Sequence, residues 1–147
     1  MSDLRTYPDR PYLAVSAAIL RERRVLLVRR ARAPAQGLFT LPGGVVEAGE
    51  TLAAAVVREA REETGLAIEP FATAGQREVI VRDAANRVER HFVIFSFAAR
   101  WIAGELVLNE ELAEARWIQP AELATLPVTE GLAEIVAAAF DLAGKAV

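Results

Sequence analysis

The order of predicted elements indicates an α+β protein in which a mixed β-sheet lies between helices. Three observations carry this fold class. Two apolar strands come first, at 12–20 (YLAVSAAIL) and 25–30 (VLLVRR). A helix follows between Thr51, a capping residue, and Gly65, a terminating residue, and a second helix closes the chain after a cap at Thr129. Both early strands are apolar on both faces for part of their length, as expected for a sheet covered on both sides.

The remaining elements follow the chain order. A polar segment with two prolines, 1–11, predicts an extended arm before a single domain at 12–147. Beyond the first helix, strands are predicted at 68–81 and 92–99, and a turn signature separates them at 83–87. Pro120 predicts a short helix to Leu126, because proline is accepted in the first turn. Gly144 is the expected end of the last helix.

The composition indicates one ordinary soluble domain and excludes several kinds of site. The 147 residues are 53% hydrophobic and 25% charged, and no apolar run approaches a membrane span, so we expect no membrane partner. The absence of cysteine excludes disulfides, thiolate metal sites and a cysteine nucleophile, and it fits a reducing cytoplasm. A net charge of −3 argues against a surface that coats nucleic acid.

The first helix carries an acidic cluster that a solvated charged face does not explain. Glu59, Glu62 and Glu63 are spaced so that their carboxylates lie on one side of a single turn. Two like charges about 5–6 Å apart, at an effective dielectric of about 20, repel by roughly 3 kcal/mol. A divalent cation would convert this repulsion into coordination. Donors that are all oxygen indicate Mg²⁺, or else Mn²⁺, rather than Zn²⁺.

The 23 residues from Gly44 to Leu66, here called the Nudix box, resemble the signature of the Nudix hydrolases, G-x5-E-x7-R-E-U-x-E-E-x-G-U, in which U is aliphatic. Ala60 fills the first aliphatic slot with a small side chain. The resemblance implies a Nudix-type α/β/α sandwich with a central mixed β-sheet, and a hydrolase that acts on phosphoanhydride bonds. All seven fixed identities are present, at Gly44, Glu50, Arg58, Glu59, Glu62, Glu63 and Gly65.

The resemblance also implies two groups of site residues. The metal ligands would be three glutamates and the carbonyl oxygen of the glycine before the box: Glu59, Glu62, Glu63 and Gly43. The supporting pair would be Arg58, which holds the carboxylates through charge-assisted hydrogen bonds, and Glu50, which orients Arg58. The same three glutamates are the candidate catalytic groups. Which carboxylate accepts the proton of the attacking water is left open.

A fourth candidate catalytic carboxylate lies outside the box. Many Nudix chains resemble the run from 109 to 117, in which an acidic loop precedes a strand ending in an Arg-Trp pair. That loop often supplies one more carboxylate to the metal or to the attacking water. By its offset from Arg116, Glu111 is the better match and Glu110 is the reserve.

Three residues before the box are candidates for binding the substrate. Arg29 and Arg30 end the second strand, and arginine binds phosphate through two parallel hydrogen bonds. An alternative is that they are solvated strand-end side chains. Phe39 is a candidate for stacking on a purine.

The implied function is Mg²⁺-dependent hydrolysis of a nucleoside diphosphate linked to another group, with ADP-ribose as the first expectation. Nucleoside triphosphates or dinucleotides are the alternative substrates. The proline that some ADP-ribose enzymes carry after the box is absent, since Val81 and Arg82 lie there. A nucleotide-sensing module without catalysis is disfavoured because the carboxylates are intact. The expected partner is a small-molecule nucleoside diphosphate derivative with no nucleic acid, and a homodimer is left open.

Overall fold

A computed structural model of the chain describes residues 5–32 and 35–145, which form one mixed β-sheet with an α-helix on each face. None of the helices in these residues is long and apolar enough to cross a membrane. The described helices are α1 (Leu52–Thr64), a 3₁₀ helix (Pro120–Thr125) and α2 (Leu132–Lys145). The described strands are β1 (Tyr12–Arg21), β2 (Arg24–Arg30), β3 (Phe39–Thr40), β4 (Gly43–Val45), β5 (Ala67–Arg82), β6 (Val88–Ala103) and β7 (Leu112–Ile118).

The sheet is mixed because β1 runs parallel to β6 and antiparallel to β2 and β4. The strand order is β3-β2-β1-β6-β5, with β4 also paired to β1 and β7 to β2. The long β5–β6 hairpin shifts register near Pro70 and Gly75, residues that interrupt a regular ladder. The four strands predicted from the sequence are present, and each extends beyond its predicted bounds. The α/β/α arrangement with a central mixed sheet is confirmed.

The two helices cover opposite faces because neighbouring residues of β1, β2 and β6 point to opposite sides of the sheet. Full burial of one aliphatic side chain contributes about 1.5–3 kcal/mol, so these faces fix where each helix lies. The cluster under α1 includes Val15, Ala17, Ile19, Leu26, Val28, Val56 and Ala60. The cluster under α2 includes Ala18, Val25, Leu27, Leu132, Ile135, Val136 and Ala139.

Helix α1 begins and ends as the sequence predicts. Thr51 has an extended backbone, and its Oγ1 accepts a hydrogen bond from the backbone N–H of Ala54 at 3.1 Å. Gly65 has a left-handed φ of 77°, and its N–H donates to the carbonyl of Arg61 at 2.9 Å. Because local sequence fixes both ends, the glutamates of the last turns have a defined place along the helix.

The last helix begins later than predicted. Among the described residues, no backbone N–H of the helix donates to the side chain of Thr129, whose Oγ1 donates to Oγ1 of Thr40 in β3 at 3.1 Å. The carbonyl of Thr129 accepts from the N–H of Leu132 at 3.3 Å, where the helix starts. Gly144 does not end the helix, which continues to Lys145. The hydroxyl of Thr129, which the sequence pattern assigns to a cap, thus makes a tertiary contact with β3.

The predicted arm, 1–11, is described from residue 5 onward, and it lies against the turn of the β5–β6 hairpin. The backbone N–H of Tyr7 donates to the carbonyl of Glu89 at 2.8 Å, and its hydroxyl donates to Asp83 at 2.9 Å. The guanidinium of Arg87 lies 4.8 Å from the centre of the Tyr7 ring. The backbone N–H of Arg87 chiefly holds the pKa of Asp83 below its usual value. The arm is thus tied to the predicted turn.

The turn between β1 and β2 contains two consecutive strained residues. Arg21 pairs with Arg24, so the loop consists of Glu22 and Arg23, whose φ values are 50° and 65°. Two-residue turns with positive φ at both positions favour Asn-Gly or Gly-Gly. A residue with a Cβ in the left-handed region costs about 1–2 kcal/mol. Glu22 and Arg23 both carry a Cβ, so both positions incur this cost in free energy.

Strand β4 requires glycine at position 43. A Cβ added to Gly43 would overlap the carbonyl oxygen of Val15, to which β1 gives no freedom to move. We therefore expect Gly43→Ala to lower the free energy of unfolding by about 1–3 kcal/mol or more. Gly144→Ala is the matched control: no atom lies within 4 Å of its added Cβ, and it should raise stability by up to about 1 kcal/mol. Urea denaturation measures both, and equal effects would contradict this account of β4.

Candidate active site

The box carboxylates meet the backbone of β4 where the last turns of α1 approach that strand. The N–H of Gly43 donates to Oε1 of Glu63 at 2.8 Å. A Cβ added to Gly44 would overlap the carboxylate of Glu59. Gly44 therefore lets the carboxylate of Glu59 come closer to β4 than any larger residue would allow, and the N–H of Gly43 binds Glu63.

Arg58 is the centre of an ion-pair network. Its Nε and Nη2 donate to the two carboxylate oxygens of Glu50 at 2.7 and 2.8 Å. Its Nη1 donates to Glu59 at 2.8 Å and to Glu62 at 3.2 Å, and Nη2 also reaches the carbonyl of Val45 at 3.1 Å. The hydrogen bonds from Arg58 lower the pKa of Glu50 to about 2. These contacts are the ones expected if Glu50 orients Arg58 and Arg58 holds Glu59.

Glu63 is a buried carboxyl group, with only 4% of its surface exposed. Burial raises its pKa to about 8, and the carboxylates of Glu59 and Glu111 add to the rise. Burial also raises the pKa of Glu59, against the opposing effect of Arg58 and with Glu111 again adding to the rise. Carboxylates from α1 and from the loop before β7 therefore lie close enough to repel one another.

The structure does not bring three of these carboxylates together as a ready metal cage. Within residues 5–32 and 35–145, no three His, Cys, Asp or Glu side chains are grouped closely enough to hold an ion. Arg58 draws Glu59 and Glu62 toward itself, and the side chain of Glu62 is 57% exposed. Gly43 holds Glu63 separately. The metal site thus stays a proposal, although a donor set made only of oxygen fits a hard divalent cation.

The loop before β7 packs on the end of α1 and so carries Glu111 to the site. The N–H of Asn109 donates to the backbone carbonyl of Glu63 at 3.2 Å. The side-chain oxygen of Asn109 accepts from the N–H of Glu111 at 3.1 Å. Glu110 instead lies 3.9 Å from Arg32. These contacts favour Glu111 over Glu110 as the additional carboxylate.

The two arginines of β2 lie on opposite faces of the sheet, as neighbours in a strand do. Arg30 is on the acidic side, where its charge opposes the rise in the pKa of Glu63. Arg29 donates to Glu114 at 2.9 Å, and the other oxygen of Glu114 accepts from Arg116 at 2.8 Å. Arg30 is therefore the better placed to meet a phosphate. Sequence reasoning missed Glu114, although its alternation with Arg116 along β7 is a usable signal.

Phe39 is a core residue and not an exposed platform. Its ring is 3% exposed and belongs to the buried cluster under α2, with the guanidinium of Arg116 at 5.1 Å from its centre. Stacking on a purine requires an open ring face. The substrate-binding role predicted for Phe39 does not fit this burial. The two-residue strand β3 is too short to show a periodic pattern that would have revealed it.

Known proteins resemble this chain in sequence and in fold. A sequence profile of the NUDIX domain matches residues 10–139. The ADP-ribose pyrophosphatase of Methanocaldococcus jannaschii is 37% identical over 107 residues, covering 73% of this chain but 61% of that protein, so the chain spans less than two thirds of this relative. The MutT NUDIX hydrolase from Burkholderia pseudomallei has a TM-score of 0.76 at 33% identity, covering 88% of this chain and 98% of that chain. An ADP-ribose pyrophosphatase from Streptococcus suis has a TM-score of 0.68 at 27% identity, covering 91% and 92%.

The burial of Glu63 predicts a pH dependence of stability in metal-free buffer. Because the pKa of Glu63 is raised from 4.5 to about 8 on folding, its contribution is full below 4.5 and is lost as the pH rises through about 8. The rise in pKa is about 3.5, so at about 1.36 kcal/mol per unit of pKa we expect a loss of about 5 kcal/mol over this range. Glu63→Gln can keep the hydrogen bond from Gly43 without a charge and should flatten the curve. Urea denaturation across this pH range with a chelator measures it, and parallel curves for the two proteins would contradict the assignment.

Proposed function

The chain belongs to the Nudix family, and from this premise we propose that it hydrolyses the phosphoanhydride bond of a nucleoside diphosphate linked to another group, with a divalent metal ion as cofactor. The observation that carries the proposal is that β4 and Arg58 hold the buried carboxyl of Glu63 and the carboxylate of Glu59 at the end of α1. ADP-ribose is the proposed substrate, supported by the similarity to two ADP-ribose pyrophosphatases. Mg²⁺ is the proposed metal, with Mn²⁺ as its alternative.

The proposed metal ligands all offer oxygen, which Mg²⁺ prefers. Glu59, Glu62 and Glu63 would hold the ion together with the carbonyl oxygen of Gly43. When bound, a divalent ion neutralises phosphate charge and makes a nearby water more acidic. Arg58 would keep Glu59 and Glu62 in position, because it already hydrogen-bonds both.

The chain's own side chains would supply the proton transfer and the phosphate contact. Attack of water on one phosphorus breaks the bridging P–O bond and leaves two phosphate monoesters, and the proton of that water passes to a carboxylate. Glu59, Glu62, Glu63 and Glu111 are the candidates for that carboxylate. Arg30 would bind a phosphate oxygen, because it lies on the side of the sheet that carries Glu63.

The proposed activity is tested by measuring release of AMP and ribose 5-phosphate from ADP-ribose, with and without Mg²⁺. We expect chelation to abolish the activity reversibly. Glu63→Gln should lower kcat at least about a hundredfold, which is the scale of losing one positioned electrostatic group. Glu134→Gln, at an exposed position on α2, is the charge-matched control and should leave kcat nearly unchanged. Turnover close to the wild type in Glu63→Gln would overturn the proposed site.

The loop before β7 gives a second test through two adjacent glutamates. Glu111→Gln should lower kcat by at least about a hundredfold, because it removes a carboxylate from the site. Glu110→Gln removes the same charge one residue away and should have little effect. Kinetics at increasing Mg²⁺ separate the two roles of Glu111, since excess metal restores the rate only if Glu111 is a ligand. A harmless Glu111→Gln would show that the loop takes no part in the reaction.

A further inference from the structure

An open cavity of about 380 Å³ lies at the β1–β2 turn, away from the carboxylates of the active site. This volume is in the range of small-ligand sites. Arg21, in its lining, is five residues along β1 from Ser16, which pairs with Gly43; at about 3.3 Å per residue, the separation along the strand is about 17 Å. The cavity is lined by Arg21, Glu22, Arg23, Arg24, Trp117 and Gln119.

One wall of this cavity, whose surroundings are here called the corner, is a stack of arginine and tryptophan side chains. The guanidinium carbon of Arg21 lies 3.7 Å from the ring centre of Trp101 and 5.8 Å from that of Trp117. The Nε1–H of Trp101 donates to the carbonyl of Gly104 at 3.0 Å. Both indoles also pack against the buried cluster under α1. The aromatic wall is therefore held in place by contacts within the protein, and Trp117 presents part of its surface to the cavity.

The rim of the cavity carries two arginine side chains that make no ion pair or hydrogen bond within the described part of the chain. They are the exposed side chains of Arg23 and Arg24. Arg21 lies 3.9 Å from Glu105, whose side chain is 82% exposed. Three arginines thus line the cavity against one glutamate, Glu22, in a chain whose net charge is −3. Such a rim favours an anionic ligand.

The backbone of the turn holds Arg23 in a strained conformation. Arg23 occupies the second position of a two-residue turn with φ of 65°, where glycine would relieve the strain. Strained backbone positions are common at active sites and ligand clamps. Here the strained residue lines the cavity and has an uncommitted guanidinium.

We propose that this corner is a second ligand site, which binds a nucleoside phosphate. An indole face stacks on any nucleobase, and a guanidinium binds phosphate through two parallel hydrogen bonds. The base lies against Trp117, and the phosphate meets Arg23 and Arg24. The amide of Gln119 can both donate to and accept from a base edge. The nucleoside phosphate comes either from a free nucleotide or from the end of an oligonucleotide.

Tryptophan fluorescence is the readout, and the variants below assign it to this cavity. The chain has two tryptophans, Trp101 and Trp117, and both belong to the stack. The probe is AMP in metal-free buffer, because AMP has no phosphoanhydride bond and is not consumed. We expect a saturable change in the fluorescence of the whole protein as AMP is added.

Two sets of variants separate binding at the corner from binding elsewhere. Arg23→Gln with Arg24→Gln should raise the Kd for AMP at least about tenfold, since it removes both phosphate contacts. Arg10→Gln with Arg82→Gln makes the same charge change on the arm and the hairpin, and should leave the Kd unchanged. Arg23→Gly removes the guanidinium and also relieves the strained φ. It should weaken AMP binding while unfolding at or above the temperature of the wild type.

The outcomes distinguish the two sources of the ligand. A lower Kd for 5′-phosphorylated pentaadenylate than for AMP assigns the site to an oligonucleotide end, and an equal or higher Kd assigns it to a free nucleotide. The absence of a saturable change with either ligand overturns the proposal. An unchanged Kd in the Arg23 and Arg24 double variant also overturns it. Because the readout needs neither metal nor hydrolysis, its failure is separate from a failure of the proposed hydrolase activity.

Discussion

The hydrogen bond from the N–H of Gly43 to the buried carboxyl of Glu63 is the contact on which the architecture around the site depends. An ionised carboxylate taken out of water costs several kcal/mol unless partners replace the lost hydration. The N–H of Gly43 supplies one such partner, but burial still raises the pKa of Glu63 to about 8. Glycine is required at 43 by the close approach of β1 and at 44 by the carboxylate of Glu59. The caps of α1 and its apolar contacts with β1 and β2 fix the position of the helix, so that Glu63 reaches the N–H of Gly43.

Arg58 neutralises only part of the remaining negative charge. One guanidinium serves Glu50, Glu59 and Glu62, so a single positive charge is shared among three carboxylates. Glu63 and Glu111 lie outside its hydrogen bonds. The carboxylates around the end of α1 therefore outnumber the one guanidinium that hydrogen-bonds them. A protein optimised only for stability would not retain such an excess, because like charges at this distance oppose folding. In the proposed function, a divalent cation would neutralise this charge.

The sequence was sufficient for features that depend on local spacing. The caps at Thr51 and Gly65 and the carboxylate pattern of α1 follow from positions a few residues apart, where helix geometry leaves little choice. Features that depend on which strands become neighbours were not readable. Phe39 is buried because residues near Val128 lie beside β3, almost ninety positions later in the chain. Strand alternation separates Arg29 from Arg30, but which of them faces the carboxylates becomes visible only once β7 pairs with β2 and places Glu114 opposite Arg29.

Strand β1 pairs with β2 and β4 from its own half of the chain, and with β6 from the other half. The hydroxyls of Ser16 and Ser96, which meet at 2.7 Å across the parallel pair, are separated by 80 positions in sequence. Contacts of such long separation form late, since the entropy of loop closure must be overcome before they contribute. During synthesis on the ribosome, the acidic helix and its glycine strand emerge before the partner that covers the edge of β1. The nascent half-domain must pass through a period with an open, apolar strand edge, and that period is when it is most vulnerable to mispairing with another chain.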